Sequence, residues 1–155
     1  MYPYHIAQIC TSGHLITDSY DLFEYERRPF CPLCGSPTMT SCPSCGSDLL
    51  GSVEGSKDSV VIHPYCGFCG EPYPWTKSAL DNAAAIIQEE EMFDAQLKEA
   101  LSSSLPDVIS ETPGTNLAMI RLKKALSAAG KFTSDALRQF VIDFGCELAK
   151  QSLGL

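Results

Sequence analysis

The segment from Cys31 to Gly46 has the sequence Cys-Pro-Leu-Cys-Gly-Ser-Pro-Thr-Met-Thr-Ser-Cys-Pro-Ser-Cys-Gly, which contains two C-x2-C pairs, each followed by glycine. This spacing is typical of a zinc knuckle, a tight turn in which backbone N–H groups point toward two metal-bound sulfur atoms. A further pair lies on each side of the segment, also at chelating distance along the chain. Together the four pairs provide eight candidate metal ligands: Cys10, His14, Cys31, Cys34, Cys42, Cys45, Cys66 and Cys69.

The number of candidate ligands predicts two zinc ions per chain, because a structural zinc ion takes four ligands in a tetrahedron. Seven of the eight cysteines and one of the three histidines are used in this way. Each predicted site is then filled by protein, whereas catalytic zinc normally keeps one position open for water or substrate. We therefore interpret both sites as structural, and the sequence indicates no catalytic residue.

Two pairings of the ligands fit the spacing. In the sequential arrangement, which we favour, the first pair shares an ion with the second, and the third with the fourth. In the cross-brace arrangement of RING-like domains, the first pair joins the third and the second joins the fourth, which would favour a ubiquitin-ligase-like or scaffold role. His14 is the weakest of the predicted ligands. His63, three residues before Cys66, is an alternative ligand that we expect instead to pack in the strand leading to the fourth pair.

The formal net charge of −8 argues against nucleic acid as a partner. Two divalent ions bound by seven thiolates would lower this charge to about −11. Up to Trp75 the chain has three basic residues against eight acidic ones, and affinity for nucleic acid depends largely on Lys and Arg at phosphates. A nucleic-acid-binding zinc ribbon, in which Trp75 and its neighbours form a platform for stacking bases, is therefore the alternative. We expect Trp75 instead to anchor a helix.

The compartment follows from two further features of the sequence. No stretch of about 18 apolar residues could form a transmembrane helix, and the first residues lack the basic and apolar segments of a signal peptide. We therefore expect a cytoplasmic protein without a membrane partner, in which reduced cysteines favour metal over disulfides.

A change of composition at Pro72-Tyr-Pro-Trp75 predicts two domains, a two-zinc ribbon-like domain over residues 1–75 and a helical domain over 76–155. Short β-prone stretches (6–9, 15–17 and 60–62) and a flexible loop (51–59) precede the change. After it, apolar residues recur at helical spacing. The predicted fold is small α+β, with an N-terminal tandem zinc-ribbon or treble-clef-like metal-bound region and a C-terminal bundle of three or four helices.

Local signals predict where the helices of the second domain begin and end. Thr76, Thr112 (before Pro113) and Ser134 are expected N-caps, and Gly130 is the expected end of the third helix. A serine run (102–104) and Pro106 are expected to interrupt the second helix. Cys146, the remaining cysteine, is expected to be a small buried apolar residue of the last helix.

Four stretches carry a family resemblance: Ile9-Cys-Thr-Ser-Gly-His14, Phe30-Cys-Pro-Leu-Cys-Gly35, Cys42-Pro-Ser-Cys45 and Tyr65-Cys-Gly-Phe-Cys-Gly-Glu-Pro-Tyr-Pro-Trp-Thr76. They resemble an uncharacterised bacterial family, domain of unknown function 2321, which is described as zinc-ribbon-like. The Thr-Pro-x-Thr step at residues 112–115 fits it too, whereas residues 145–151 depart from its Ser-Glu-x-x-Lys-Lys tendency. The resemblance implies metal binding in a bacterial cytoplasm and no established activity.

These features predict a non-enzymatic zinc-binding protein that serves as a protein–protein interaction or adaptor module. Its helical domain would bind a protein partner or a second copy of the chain. Besides the nucleic-acid-binding ribbon, the alternatives are a RING-like cross-brace scaffold and an iron–thiolate electron carrier, since C-x2-C-G knuckles also occur at iron sites.

Overall fold

The computed structural model describes residues 3–155, which divide into a first unit that ends at Lys77 and a second unit from Ser78 to Leu155. Among these residues, the first unit holds the strands and both cysteine-rich clusters, and the second consists of helices. The predicted small α+β fold is therefore confirmed. No helix within residues 3–155 is both long and apolar enough to cross a lipid bilayer.

The first unit contains two small antiparallel sheets. The strands are β1 (Tyr4–Ile6), β2 (Gln8–Cys10), β3 (Leu15–Thr17), β4 (Thr38–Met39) and β5 (Leu50–Val53). One sheet pairs β1 with β5, and the other has its strands in the order β3-β2-β4. A short 3-10 turn at Glu24–Glu26 lies between β3 and β4 along the chain.

Trp75 lies in a small apolar core in the first unit, with Ala7, Ile9 and Leu49. Its side chain is 6% exposed, and its indole N–H donates to the carbonyl oxygen of His63 at 3.0 Å. A ring that is buried and bonded in this way cannot serve as a platform for stacking bases. With so few apolar side chains, the core of this unit is small, as is usual for domains that a metal helps to hold together.

The helices are α1 (Pro74–Glu89), which begins in the first unit, α2 (Ala95–Ile109), α3 (Thr115–Ala128), α4 (Lys131–Phe144) and α5 (Glu147–Ser152). The second unit has a larger apolar core in which α3 packs against α2, α4 and α5. Its buried apolar residues recur at three- and four-residue steps, as Leu101, Leu105 and Val108 do on α2, which is the pattern of a helix with one apolar face.

Several predicted helix boundaries were wrong. Helix α1 begins at Pro74, and Thr76 lies inside it, where its hydroxyl donates to the carbonyl oxygen of Pro64 at 2.7 Å. Helix α3 begins only at Thr115. Gly130 precedes α4 with φ of −64°, so it is not the left-handed helix end that we expected, and Ser134 lies within α4. At Thr76 and Gly130, contacts from elsewhere in the chain outweigh the local signal.

Two further expectations differ from the structure. Pro106 lies inside α2 and does not interrupt it, and the last predicted helix is divided, because α4 ends at Phe144 and α5 starts after Cys146. In the first unit, the predicted flexible loop begins as strand β5, whereas the β-branched run 60–62 forms no strand.

Candidate metal centres

The structure brings the eight candidate ligands into two groups of four, in each of which the ligand atoms lie within 4.8 Å of one another. The first pair along the chain joins the second, and the third joins the fourth, which is the sequential arrangement. Within residues 3–155 these are the side-chain groups that could hold a metal ion. The first group is Cys10, His14, Cys31 and Cys34, and the second is Cys42, Cys45, Cys66 and Cys69.

The C-x2-C-G pairs fold into closely similar turns. In each, the glycine N–H donates to the carbonyl oxygen of the first cysteine, and the glycine adopts a positive φ that other residues rarely adopt. The glycine of the pattern is thus required by the backbone of the turn. The three turns have N···O distances of 2.8, 2.8 and 2.9 Å and φ angles of 74°, 77° and 79° at Gly35, Gly46 and Gly70.

A second hydrogen bond closes each of these turns. The N–H of the first cysteine donates to the residue five positions later, as from Cys31 to the carbonyl oxygen of Ser36 at 2.8 Å. An isolated antiparallel bridge then joins the flanking residues, as between Phe30 and Pro37. As a result the first cysteine of each pair is buried and the second lies exposed at the tip of the turn.

His14 reaches the first centre through a different turn, between strands β2 and β3. Gly13, with φ of 95°, donates its N–H to the carbonyl oxygen of Cys10 at 2.9 Å. This turn places Nδ1 of His14 at 3.4 Å from Sγ of Cys10 and 3.6 Å from Sγ of Cys31. The imidazole therefore occupies the fourth corner of the group.

The distances between ligand atoms fit a tetrahedral metal site. Sγ of Cys10 and Cys34 are 3.7 Å apart, and in the second group the Cys42–Cys69 and Cys45–Cys66 distances are both 3.8 Å. A tetrahedron with metal–sulfur bonds of about 2.3 Å has sulfur–sulfur edges of about 3.8 Å. A disulfide bond would need about 2.05 Å. The sulfur atoms are thus spaced for a shared cation and are too far apart for disulfides.

Hydrogen bonds favour the thiolate form at some of these cysteines. Bonds from the side chain and the backbone N–H of Ser36 lower the pKa of Cys34 to about 5. In the second group the N–H groups of Phe68 and Cys69 lower the pKa of Cys66 to about 6.

Crowding within the second group has the opposite effect on Cys69. The Glu71 N–H lowers its pKa, but burial and the sulfur atoms of the other three cysteines raise it to about 12. Four thiolates therefore repel one another in this group unless a cation lies among them. A divalent ion would supply the missing positive charge, so the donor set fits a metal chemically as well as geometrically.

Serine residues next to the knuckles are a feature that the sequence reasoning missed. Ser47 Oγ lies 3.2 Å from Sγ of Cys45, and Ser12 and Ser36 bond to each other at 2.9 Å beside the first group. The pattern C-x2-C-G-S, present in two of the pairs, was the signal that could have identified them. Hydroxyl donors of this kind stabilise negative charge on exposed sulfur.

The two other histidines and the remaining cysteine lie outside both groups. His63 is exposed and contributes its carbonyl oxygen to Trp75, and His5 pairs with Asp21 at 3.0 Å. Cys146 is half-buried against the helical core, and its N–H donates to the carbonyl oxygen of Val108 at 2.9 Å.

Comparison with known proteins gives one family. A family model described as an uncharacterized protein conserved in bacteria, DUF2321, matches residues 3–153. No curated protein and no solved structure matches the chain.

Proposed function

We propose a function from the residues themselves, because the chain belongs to DUF2321, a bacterial family that is described as uncharacterised. The protein is a non-enzymatic zinc protein of the bacterial cytoplasm. Two structural zinc ions order its first unit, and the ordered surface binds another protein.

The spacing of the ligand atoms supports structural zinc and carries the proposal. Sulfur–sulfur distances of 3.7 and 3.8 Å are those of a tetrahedron whose four corners are all protein atoms. Such a site has no open position at which water or substrate could be activated. Thiolate and imidazole donors together, as in the first group, suit zinc. The sites then serve to hold the fold.

Exposed apolar side chains at the knuckle tips support a protein partner. Leu33, between the cysteines of its pair, is 78% exposed, and Phe68, in the same position of its own pair, is 63% exposed. Aromatic and other large apolar side chains contribute strongly to surfaces that bind another protein. The excess of acidic residues makes nucleic acid an unfavourable partner for this surface.

Elemental analysis of protein purified without added metal tests the first part of the proposal. Two zinc ions per chain are expected. Iron in either centre would contradict structural zinc and favour the iron–thiolate electron carrier. A single tightly bound ion would contradict a pair of closed structural sites.

Chemical crosslinking in bacterial cells followed by mass spectrometry tests the second part. A partner protein should be recovered with the native chain and lost with Leu33→Ser or Phe68→Ser. Phe132→Ser is the matched control, because Phe132 is 80% exposed but lies in the second unit. Recovery of no partner with the native chain, or equal recovery with all variants, would contradict an adaptor that uses the knuckle tips.

A further inference from the structure

The segment from Ser59 to His63 has the residue pattern of a β-strand but belongs to neither sheet. It contains the β-branched run Val60-Val-Ile62, and residues 56–63 pass without a turn or a bend. Exposure alternates along it with a period of two, exposed at 59, 61 and 63 and half-buried at 60 and 62. This alternation is that of a strand with one face on a core. Ile62 accordingly packs against the core that contains Trp75.

The backbone of this segment lacks the partner that a strand normally has. In the described part of the chain, no backbone group bonds to the N–H or carbonyl groups of Val60, Val61 and Ile62. Unpaired strand edges are a template for pairing with another chain. The sequence predicted a strand here because the side chains favour one, and the structure leaves its hydrogen bonds unmade.

Side chains from helix α1 fix one end of the segment. The indole of Trp75 donates to the carbonyl oxygen of His63, and the Thr76 hydroxyl donates to that of Pro64. The backbone of Tyr73 bonds to Pro64 as well, at 3.1 Å. Anchoring at this end reduces the conformational entropy that the segment loses when it pairs, which favours binding of a partner there.

An apolar groove of about 480 Å³ runs beside the segment, all of it within the first unit. The residues that line it include Leu50, Val61, Tyr65, Phe68 and Tyr73. Val61 is 67% exposed, so its side chain is available to a partner. A groove of this size accepts one or two apolar side chains from an added strand.

We infer that Ser59–His63 is a docking strand for an extended peptide segment of a partner protein, which pairs with its backbone and inserts apolar side chains into the groove. The inference rests on the proposed adaptor function and names the kind of partner. Charge complementarity specifies the rest of the peptide. Residues 3–77 include eight acidic and four basic side chains, and the loop that leads into the docking strand carries Glu54 and Asp58 against one basic residue, Lys57. The docked segment therefore has Lys or Arg on its flanks, beside alternating apolar residues.

A library of random linear peptides displayed on phage tests the inference on the zinc-loaded full chain. Peptides that bind the native chain should show alternating apolar residues flanked by Lys or Arg. Peptides that also bind Val61→Pro are removed by counter-selection, because this variant lacks one backbone N–H donor at an exposed position. Val61→Thr keeps the N–H and is the control. An enriched peptide should bind Val61→Pro about tenfold more weakly and Val61→Thr about as well as the native chain.

Amide exchange measured by NMR locates the binding. Addition of an enriched peptide should slow exchange at residues 59–63, and the same peptide with N-methylated apolar residues should not. Equal binding of the N-methylated peptide, protection elsewhere, or failure to enrich any peptide would overturn the inference. So would pairing of the docking strand with a second copy, seen as concentration-dependent protection without peptide.

The crosslinking experiment separates the two proposals. If the partner is recovered with Val61→Pro as well as with the native chain, the adaptor function stands and the docking strand is wrong. If the native chain recovers no partner and enriches no peptide, the adaptor function itself fails.

Discussion

Gly13 of the first metal centre lies directly against Trp75 of the apolar core. A Cβ atom placed on Gly13 would be 3.2 Å from both Cβ and Cγ of Trp75, closer than ordinary van der Waals contact. Gly13 also has φ of 95° and forms the turn that places His14 at the centre. The turn and the core are thus packed together, and a change in one is transmitted to the other.

Gly13→Ala should therefore destabilise the zinc-loaded protein more than the same change in a knuckle. A side chain at positive φ costs about 1–2 kcal/mol, and the close contact with Trp75 adds about 1–3 kcal/mol. Gly35→Ala is the matched control, because Gly35 has φ of 74° and no atom within 4 Å of its added Cβ. Denaturant unfolding followed by fluorescence of the single tryptophan measures both. Equal losses would show that the contact contributes nothing.

Cys31→Ser should lower the metal content by one ion per chain. The buried Cys31 supplies one of the four atoms of the first group, and a hydroxyl is a much weaker ligand than a thiolate. Cys146→Ser, which lies outside both groups, should leave the content unchanged. Elemental analysis checks both variants. Full retention of metal by Cys31→Ser would remove Cys31 from the ligands.

A strong chelator should unfold the first unit while the helices persist. Structural zinc contributes about 10–16 kcal/mol to the folding of zinc-finger peptides, and the apolar core around Trp75 is too small to replace it. The second unit has its own extensive apolar core and holds none of the eight ligands. NMR spectra before and after addition of EDTA should lose the dispersed signals of residues 3–77 and keep those of 78–155. Loss of both sets together would mean that the helices depend on the metal.

The residues of the two groups could be identified from sequence as candidate ligands because each pair is a local structure. The two cysteines of a knuckle are three residues apart, and the glycine after them adopts the positive φ that the turn needs, so spacing and residue type specify the geometry. Which two pairs share a metal site depends on where the strands between them place each turn. Sequence spacing therefore allowed two pairings, and the fold of the first unit brings about the sequential one.

Helix boundaries were less predictable because distant residues determine them. Thr76 has the residue type of an N-cap, yet its hydroxyl bonds to Pro64, twelve positions earlier. Gly130 was expected to end a helix, and its N–H instead bonds to Glu90, forty positions away. The run 60–62 has the side chains of a strand. A strand also needs backbone hydrogen bonds to a neighbouring strand, and the described residues do not provide them.

Glu90 makes the stability of the second unit depend on pH. Its buried carboxylate accepts hydrogen bonds from the N–H of Met92 at 3.0 Å and of Gly130 at 3.1 Å. Bonds from Met92, from the Thr133 side chain and from Gly130 lower the pKa of Glu90 below its ordinary value of 4.5. The stability that this carboxylate provides is therefore fully present above pH 4.5 and is lost as the pH falls through the lowered pKa.

Glu90→Gln should accordingly lower the Tm by several degrees at neutral pH, because the amide replaces one accepting oxygen with a donor that faces an N–H group. The difference in Tm from the native protein should shrink on acidification, since the native carboxylate is then protonated as well. Glu91→Gln makes the same change of charge at an exposed neighbouring position and should leave the Tm nearly unchanged. Thermal unfolding followed by circular dichroism across the acidic range checks both. A difference in Tm that stays constant with pH would mean that the charge of Glu90 does not stabilise the second unit.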